Sequence, residues 1–295
     1  MKKFILLVSL IISGSLMLFA QNDKSKDPNF TNYYKEVAPI ITDALTISFE
    51  DIVSKSGYCK LKVRIKNNTN DYILFKPTES SFKLPQGEFQ CADKMNTSSA
   101  IDRGLKLLDI REDGFVVIPP LESGSKVLNI KGDGNCLVNS FTLQLNGLYR
   151  FSAKDDVQSA QNFNLPASVN TFNSGPFQCT LSGIKKETKE TWVKFECKYT
   201  GEEAGIIDPN KSVASPENGQ EFANGKSHLK QVVLFKGESD KFTLYFYIPV
   251  SVADMKTANM QIAWKNTFLD SKINPLPSQK VLFEIDPGKT EGKNN

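Results

Sequence analysis

This 295-residue sequence predicts an all-β protein, two tandem antiparallel β-sandwiches behind an export signal, and three observations carry the prediction. One block of residues occurs twice at a spacing of 132. Within each copy, segments of strict apolar/polar alternation are separated by turn residues. Beyond the N-terminus, no stretch keeps an amphipathic helical period for three turns; 98–107, interrupted by Gly104, comes nearest.

The repeat is gapless over its core. ISFEDI (47–52) aligns with CTLSGI (179–184), CKLKVRIKN (59–67) with TWVKFECKY (191–199), Pro77 with Pro209 and Gly87 with Gly219. In 59–66, Cys59, Leu61, Val63 and Ile65 alternate with Lys60, Lys62, Arg64 and Lys66, which gives a strand with one buried and one wet face. Its counterpart sets Val193, Phe195, Cys197 and Tyr199 inward, and Trp192, Lys194, Glu196 and Lys198 outward. Further strands are predicted at 45–52, 72–76, 105–110, 114–118, 126–131 and 141–152 in the first unit. The second has them at 177–184, 204–207, 229–235, 241–248, 259–264 and 280–285. Asn67 to Asp71, Pro85-Gln86-Gly87, Pro119-Pro120 and Asp133-Gly134 punctuate them as turns.

The N-terminus reads as an address. Lys2 and Lys3 precede the apolar run Phe4 to Phe19, and Ala20 meets the polar QNDKSKD, the order of a secretory signal peptide cleaved after residue 20. That run, about 16 residues, is short of the roughly 20 a bilayer crossing needs. No later stretch approaches spanning length, so no integral membrane segment is expected after cleavage, and the location is periplasmic or secreted. Losing Lys2 and Lys3 leaves 34 basic against 33 acidic side chains. Such a balance lacks the basic field that nucleic-acid binding requires.

In each unit an alternating strand ends in a polar turn, a proline-glycine segment follows, and a late strand is entered through a Gly-Ser or Gly-Glu turn: LESGSKVLNI in the first, FKGESDKFTLYFYIP in the second. This order resembles the immunoglobulin-like accessory domains of exported bacterial proteins over most of 40–288. The resemblance implies two tandem immunoglobulin-like sandwiches and, since such folds carry many activities, no particular function. Antigen-receptor relatives are not implied, because no Cys…Trp…Cys spacing is present.

The implied organisation is a signal peptide (1–20), a polar N-terminal segment (21–35), one sandwich over 36–167, a connector at 168–172, a second sandwich over 173–288 and a polar tail (289–295). A longer loop around 88–110, with QCADKMNTSSAIDRG, distinguishes the first unit, and such loops are places where scaffolds carry function.

Of five cysteines, Cys179 and Cys197 align with Ile47 and Ile65 on neighbouring strands, where they either pair as a disulfide or pack as small buried hydrophobes. Cys59, Cys91 and Cys136 cannot all pair within the first unit. There is no C-x-x-C, and one histidine, His228, lies in a strand-mouth setting with no serine in a G-x-S-x-G context. Neighbouring acids such as Glu112-Asp113 and Asp155-Asp156 read as solvated turns, and KGDGNC (131–136) is half a calcium loop without its remaining ligands. No cofactor, metal or catalytic set is therefore expected.

Two surface features remain. The basic row Lys60, Lys62, Arg64 and Lys66 is a solvated strand face, a protected sheet edge or a contact for an acidic partner. Trp192, Tyr245 and Tyr247 form either a contact platform for a glycan or protein, or the packing surface between the two units. The expected function is a non-catalytic binding or assembly module of the bacterial cell envelope with an envelope protein or glycan partner. A structural spacer, a secreted enzyme inhibitor and a glycan-active enzyme are the alternatives.

Overall fold

The computed structural model describes residues 29–91, 114–131, 136–154, 156–217, 219–225 and 229–294. The predicted signal peptide, most of the 88–110 loop, Glu112, Asp113, Asp133, Asp155 and His228 lie outside them. In the first half, β1 (Asn32–Tyr33) and β2 (Ile40–Ile41) lead to the long hairpin β3 (Leu45–Lys55) and β4 (Tyr58–Asn67). Alternation buries Leu45, Ile47 and Phe49 against Leu61, Val63 and Ile65. Asp51, at φ 53, shifts the register between Glu50 and Val53, a β-bulge. There follow β5 (Tyr72–Phe75), a 3-10 turn (Pro77–Glu79), β6 (Ser81–Leu84), β7 (Gly87–Gln90), β8 (Val116–Ile118), β9 (Ser123–Lys131), β10 (Ser140–Leu145) and β11 (Leu148–Phe151).

The second half comprises β12 (Val157–Gln158), β13 (Phe163–Leu165), β14 (Thr171–Ser174), β15 (Phe177–Lys186), β16 (Glu190–Tyr199), β17 (Ala204–Ile207), a 3-10 turn (Pro209–Lys211) and β18 (Ser212–Pro216). It continues through β19 (Phe222–Ala223), β20 (Val232–Phe235), β21 (Ser239–Tyr247), β22 (Met260–Trp264) and β23 (Phe268–Ser271). β24 (Asn274–Pro275), β25 (Gln279–Glu284) and helix α1 (Pro287–Asn294) close the chain.

All pairings are antiparallel, and the two halves match sheet for sheet. The orders are β1-β3-β4-β9, with β2 also on β3, β25-β10-β6-β7 and β24-β11-β5-β8 in the first. In the second they are β14-β15-β16-β21, β13-β22-β18-β19 and β12-β23-β17-β20. The predicted strand 141–152 is two strands, because the chain bends at Asn146-Gly147 where Pro77 bends its neighbour. There Lys76 N donates to Gly147 O at 2.8 Å, and Gly147 has φ 74. A Cβ at Gly147 would stand 2.2 Å from the Lys76 carbonyl oxygen. Asp208 N to Thr267 O, also 2.8 Å, makes the matching bend in the second half.

The expected unit boundaries are corrected by where the edge strands go. β12 and β13, sequence neighbours of the first unit, pair with β23 and β22 of the second. β24 and β25, neighbours of the second, return to pair with β11 and β10 of the first. Sheets need edge partners for backbone groups and an apolar face for their core; Phe163 and Phe283 serve the second and first cores respectively. Neither 36–167 nor 173–288 is thus a complete unit.

The flanking assignments change for the same reason. The end of the polar segment 21–35 is part of the first core: Tyr34 is buried, its hydroxyl 2.8 Å from Ser54 Oγ and donating to Val138 O at 2.8 Å. Within the connector, Thr171 and Phe172 already belong to β14. The polar tail is largely α1, tied down by Thr290 Oγ1 accepting from Tyr33 N at 3.0 Å and Asn294 Oδ1 from Thr31 N at 3.0 Å.

Each half has its own core, and a third cluster joins them: Tyr72, Leu74, Phe115, Phe151, Ala204, Ile206, Val233 and Leu269. β5 and β17 are buried along their whole length, because Ile73 and Phe75 enter the first core while Tyr72 and Leu74 face the other half. Among the described residues no helix is long and apolar enough to cross a membrane.

Candidate functional site

The outer faces of the two long hairpin sheets are the same surface in two chemistries. In the second half, β16 lies between β15 and β21, so residues of one parity on all three strands face outward. Trp192 is directly opposite Tyr245, with ring centroids 4.5 Å apart and planes at 58°. Tyr245 turns its backbone away from β16: its N–H donates to Asn224 Oδ1 at 3.2 Å and its carbonyl accepts from Gly225 N at 2.7 Å. Trp192 and Tyr245 are therefore a non-hydrogen-bonded pair, the kind that brings facing side chains closest.

Around the pair, Tyr247 is 47% exposed opposite Glu190, and Lys185 flanks Trp192 on β15. A hydrogen bond to Glu190 holds the Tyr245 phenol above its ordinary pKa, which keeps that hydroxyl a donor to the carboxylate. The junction between the halves is built from Tyr72, Leu74, Ile206 and their neighbours, and Trp192, Tyr245 and Tyr247 do not belong to that cluster. The reading of Trp192, Tyr245 and Tyr247 as inter-unit packing is accordingly corrected. Aromatic side chains reach the interface from other strands, Tyr72 from β5, Phe151 from β11 and Phe235 from β20.

In the first half, Lys60 and Asn129 stand opposite each other on β4 and β9, where the second half has Trp192 and Tyr245. Lys62 Nζ and Arg64 Nε each lie 3.0 Å from Glu50, on separate carboxylate oxygens. These two hydrogen bonds hold the Glu50 carboxyl below its ordinary pKa. Lys60 lies over the Tyr58 ring at 5.4 Å. Lys66 pairs in register with Thr46 on one side and Ser123 on the other. β4 is an interior strand, between β3 and β9, so the basic row does not guard a sheet edge. Its charge is partly spent on Glu50, leaving a mixed solvated face.

Cys179 and Cys197 are directly opposite in register, with Cα atoms 4.0 Å apart, and are joined by a disulfide. Ile47 and Ile65 hold the same register in the first half. Cys59, Cys91 and Cys136 are buried thiols. Burial pushes all three up, Cys91 to about 12, and the proximity of Cys136 and Cys91 adds to the effect on Cys59. Such thiols are poor nucleophiles. Among the described residues, no group of three or more His, Cys, Asp or Glu side chains is gathered as metal ligands.

One feature escaped the sequence. A groove of about 610 Å³ lies where β13 meets β22 and β18, lined by the polar side chains of Asn164, Gln261, Glu217 and Asn259 and the apolar ones of Leu165 and Met260. Gln261 Nε2 donates to Asn164 Oδ1 at 3.0 Å, and Asn259 Nδ2 to Glu217 Oε1 at 2.6 Å. No local pattern announces it, since Asn164 arrives on the strand carried over from the first half.

The chain matches no known protein-family model and no curated protein. Among solved structures it is similar to one described as the structure of infectious bursal disease virus, Gx strain, at 10% identity. The match covers 87% of this chain and 69% of that one with a TM-score of 0.16. Similarity at that level carries no argument about fold or function.

Proposed function

We propose that this protein is an exported, non-catalytic binding module of the bacterial cell envelope. Its halves are read as tandem immunoglobulin-like sandwiches, the second holding a glycan or envelope-protein partner on the face of Trp192, Tyr245 and Tyr247. The observation that carries this reading is the divergence of a duplicated surface. The same strand positions hold Lys60 and Asn129, on a face whose Lys62 and Arg64 are tied to Glu50, in one half and a paired, half-buried indole and phenol in the other. Core positions of the duplicates stay apolar because packing demands it. Rigid aromatic side chains on the outer face of a sheet supply apolar area at little entropic cost, which suits recognition of sugar rings or protein surfaces.

The experiment is in-cell crosslinking of the tagged full-length protein, followed by mass spectrometry of envelope and secreted fractions, beside the Trp192→Ala/Tyr247→Ala variant. A partner captured by the parent and lost by the variant, with the thermal midpoint of the variant unchanged, supports the proposal. Equal capture by both sinks it.

A structural spacer is the second reading. It is favoured by the apolar cluster and the two crossings that stiffen the joint between the halves. Absence of any selective partner, with both halves moving as one body in solution scattering, would leave the spacer in its place.

A further inference from the structure

We infer that the chain is an arm-exchanged dimer closed within one polypeptide, and that a second copy of the same chain is a competent partner through exchange at residues 166–170.

The contact between the halves has the form of a two-fold interface. Equivalent sheets meet, β24-β11-β5-β8 with β12-β23-β17-β20, and equivalent positions supply the cluster. Tyr72 and Leu74 on β5 correspond to Ala204 and Ile206 on β17 at the repeat spacing of 132. Tyr149 on β11 corresponds to Leu269 on β23, 120 positions later, and both pack there. A surface that meets its own duplicate is what a homodimer presents, since an isologous interface uses one patch on both sides.

The arms repeat the symmetry. Phe163 pairs with Ile262 and Val281 with Leu143, so the same strand, 118 positions apart, completes the opposite half in each case. Each arm leaves its own body immediately: β23 ends at Ser271 and β24 starts at Asn274, while β11 ends at Phe151 and β12 starts at Val157. At the first crossing Asp270 N donates to Asp156 O at 3.0 Å, which ties that crossing to β23 of the second half.

This connectivity leaves a single covalent tie. Residues 29–165 hold the first body and the arm for the second; residues 171–294 hold the second body and the arm for the first. Only 166–170 joins these two pieces. If that link runs to another molecule instead, the N-terminal piece of one copy and the C-terminal piece of the next rebuild every strand pairing given above. What changes is local to the link, where Ala167 packs on the second core and the Asn170 carbonyl accepts from Leu181 N at 2.7 Å. Exchange of identical elements is a low-cost route to dimers, and a link of sufficient length favours the closed monomer through its high effective concentration.

The test uses the full-length protein in two forms. In the first, Ala167–Val169 are deleted, which shortens the link between Leu165 and Thr171 and disfavours closure within one copy. The expected result is a dimer of twice the parent mass by light scattering, with an unchanged circular-dichroism spectrum. A monomer with the parent's thermal midpoint would overturn the inference. In the second, a specific protease site is placed between Ser168 and Val169 and cut after folding. The nicked protein should remain a one-to-one complex through size exclusion at low-micromolar concentration. Its separation into two independently folded fragments would overturn the inference irrespective of how the deletion variant behaves.

Discussion

Phe163 and Phe283 serve the cores of opposite halves, and each is borne on a strand that its sequence neighbours would assign to the other half. Phe163 is opposite Ile262 and sits edge-on to Phe195 at 5.1 Å between ring centroids. Phe283 is opposite Phe141, 5.0 Å from its ring, and fully buried. Both halves therefore depend on a side chain delivered by the other, which couples their stabilities.

Phe283→Ala is expected to cost about 3–5 kcal/mol, the usual loss for a buried phenylalanine. Phe163→Ala should cost a comparable amount. The coupling predicts a single urea transition for each variant, shifted to lower midpoint, when followed both by the fluorescence of Trp192 and Trp264, which lie in the second half, and by circular dichroism of the whole. A Phe283→Ala variant in which the second half keeps the parental midpoint would contradict it.

Truncation after Lys272 removes β24, β25 and α1, all from the end of the second half in sequence. The damage should appear in the first half, where Phe141, Leu143 and Leu145 lose the strand that pairs with β10. Hydrogen exchange of β6 and β10 measures it, and protection equal to that of the parent in those strands would count against the strand assignment.

Thr191 is buried, and its hydroxyl has no hydrogen-bond partner among the described residues. The matching position 132 residues earlier is Cys59, also buried. Replacing the hydroxyl by a methyl removes an unsatisfied polar group at constant shape, so Thr191→Val should be neutral or stabilise by about 1 kcal/mol. Chemical denaturation decides, and a loss beyond about 1 kcal/mol would mean the hydroxyl has a partner.

The cysteines make a chemical prediction. Non-reducing peptide mapping should recover Cys179 and Cys197 in one linked species, and eliminating both should cost about 3 kcal/mol from loop-closure entropy. Cys91 should resist alkylation in the folded protein. Its proton is bound more tightly folded than unfolded, so its contribution to stability is full below the ordinary thiol value of 9.0 and is lost as pH rises toward about 12. Unfolding midpoints that stay level from pH 8 to 11, in parent and Cys91→Ala alike, would refute this.

What was legible in the chain is what local chemistry dictates. Alternation in 59–66 and 191–199 sets which face of a strand is wet, because side chains on a strand alternate whatever the partner. The repeat also placed Cys179 and Cys197 on the positions of Ile47 and Ile65, hence opposite each other in one hairpin. The joint between the halves left a trace that alternation hides: YILF (72–75) and AGII (204–207) have no polar position, the pattern of strands covered on both faces.

The partner of an edge strand is different in kind, because it is set by non-local packing. QKVLFE suits either half, and only the tertiary structure decides that it returns to β10, where Phe283 fills the space beside Phe49 and Phe141. In the same way the sequence determines that Trp192 and Tyr245 are outward. That they face each other at 4.5 Å, and that neither belongs to the cluster joining the halves, follows from how β16 and β21 align and from which sheets meet.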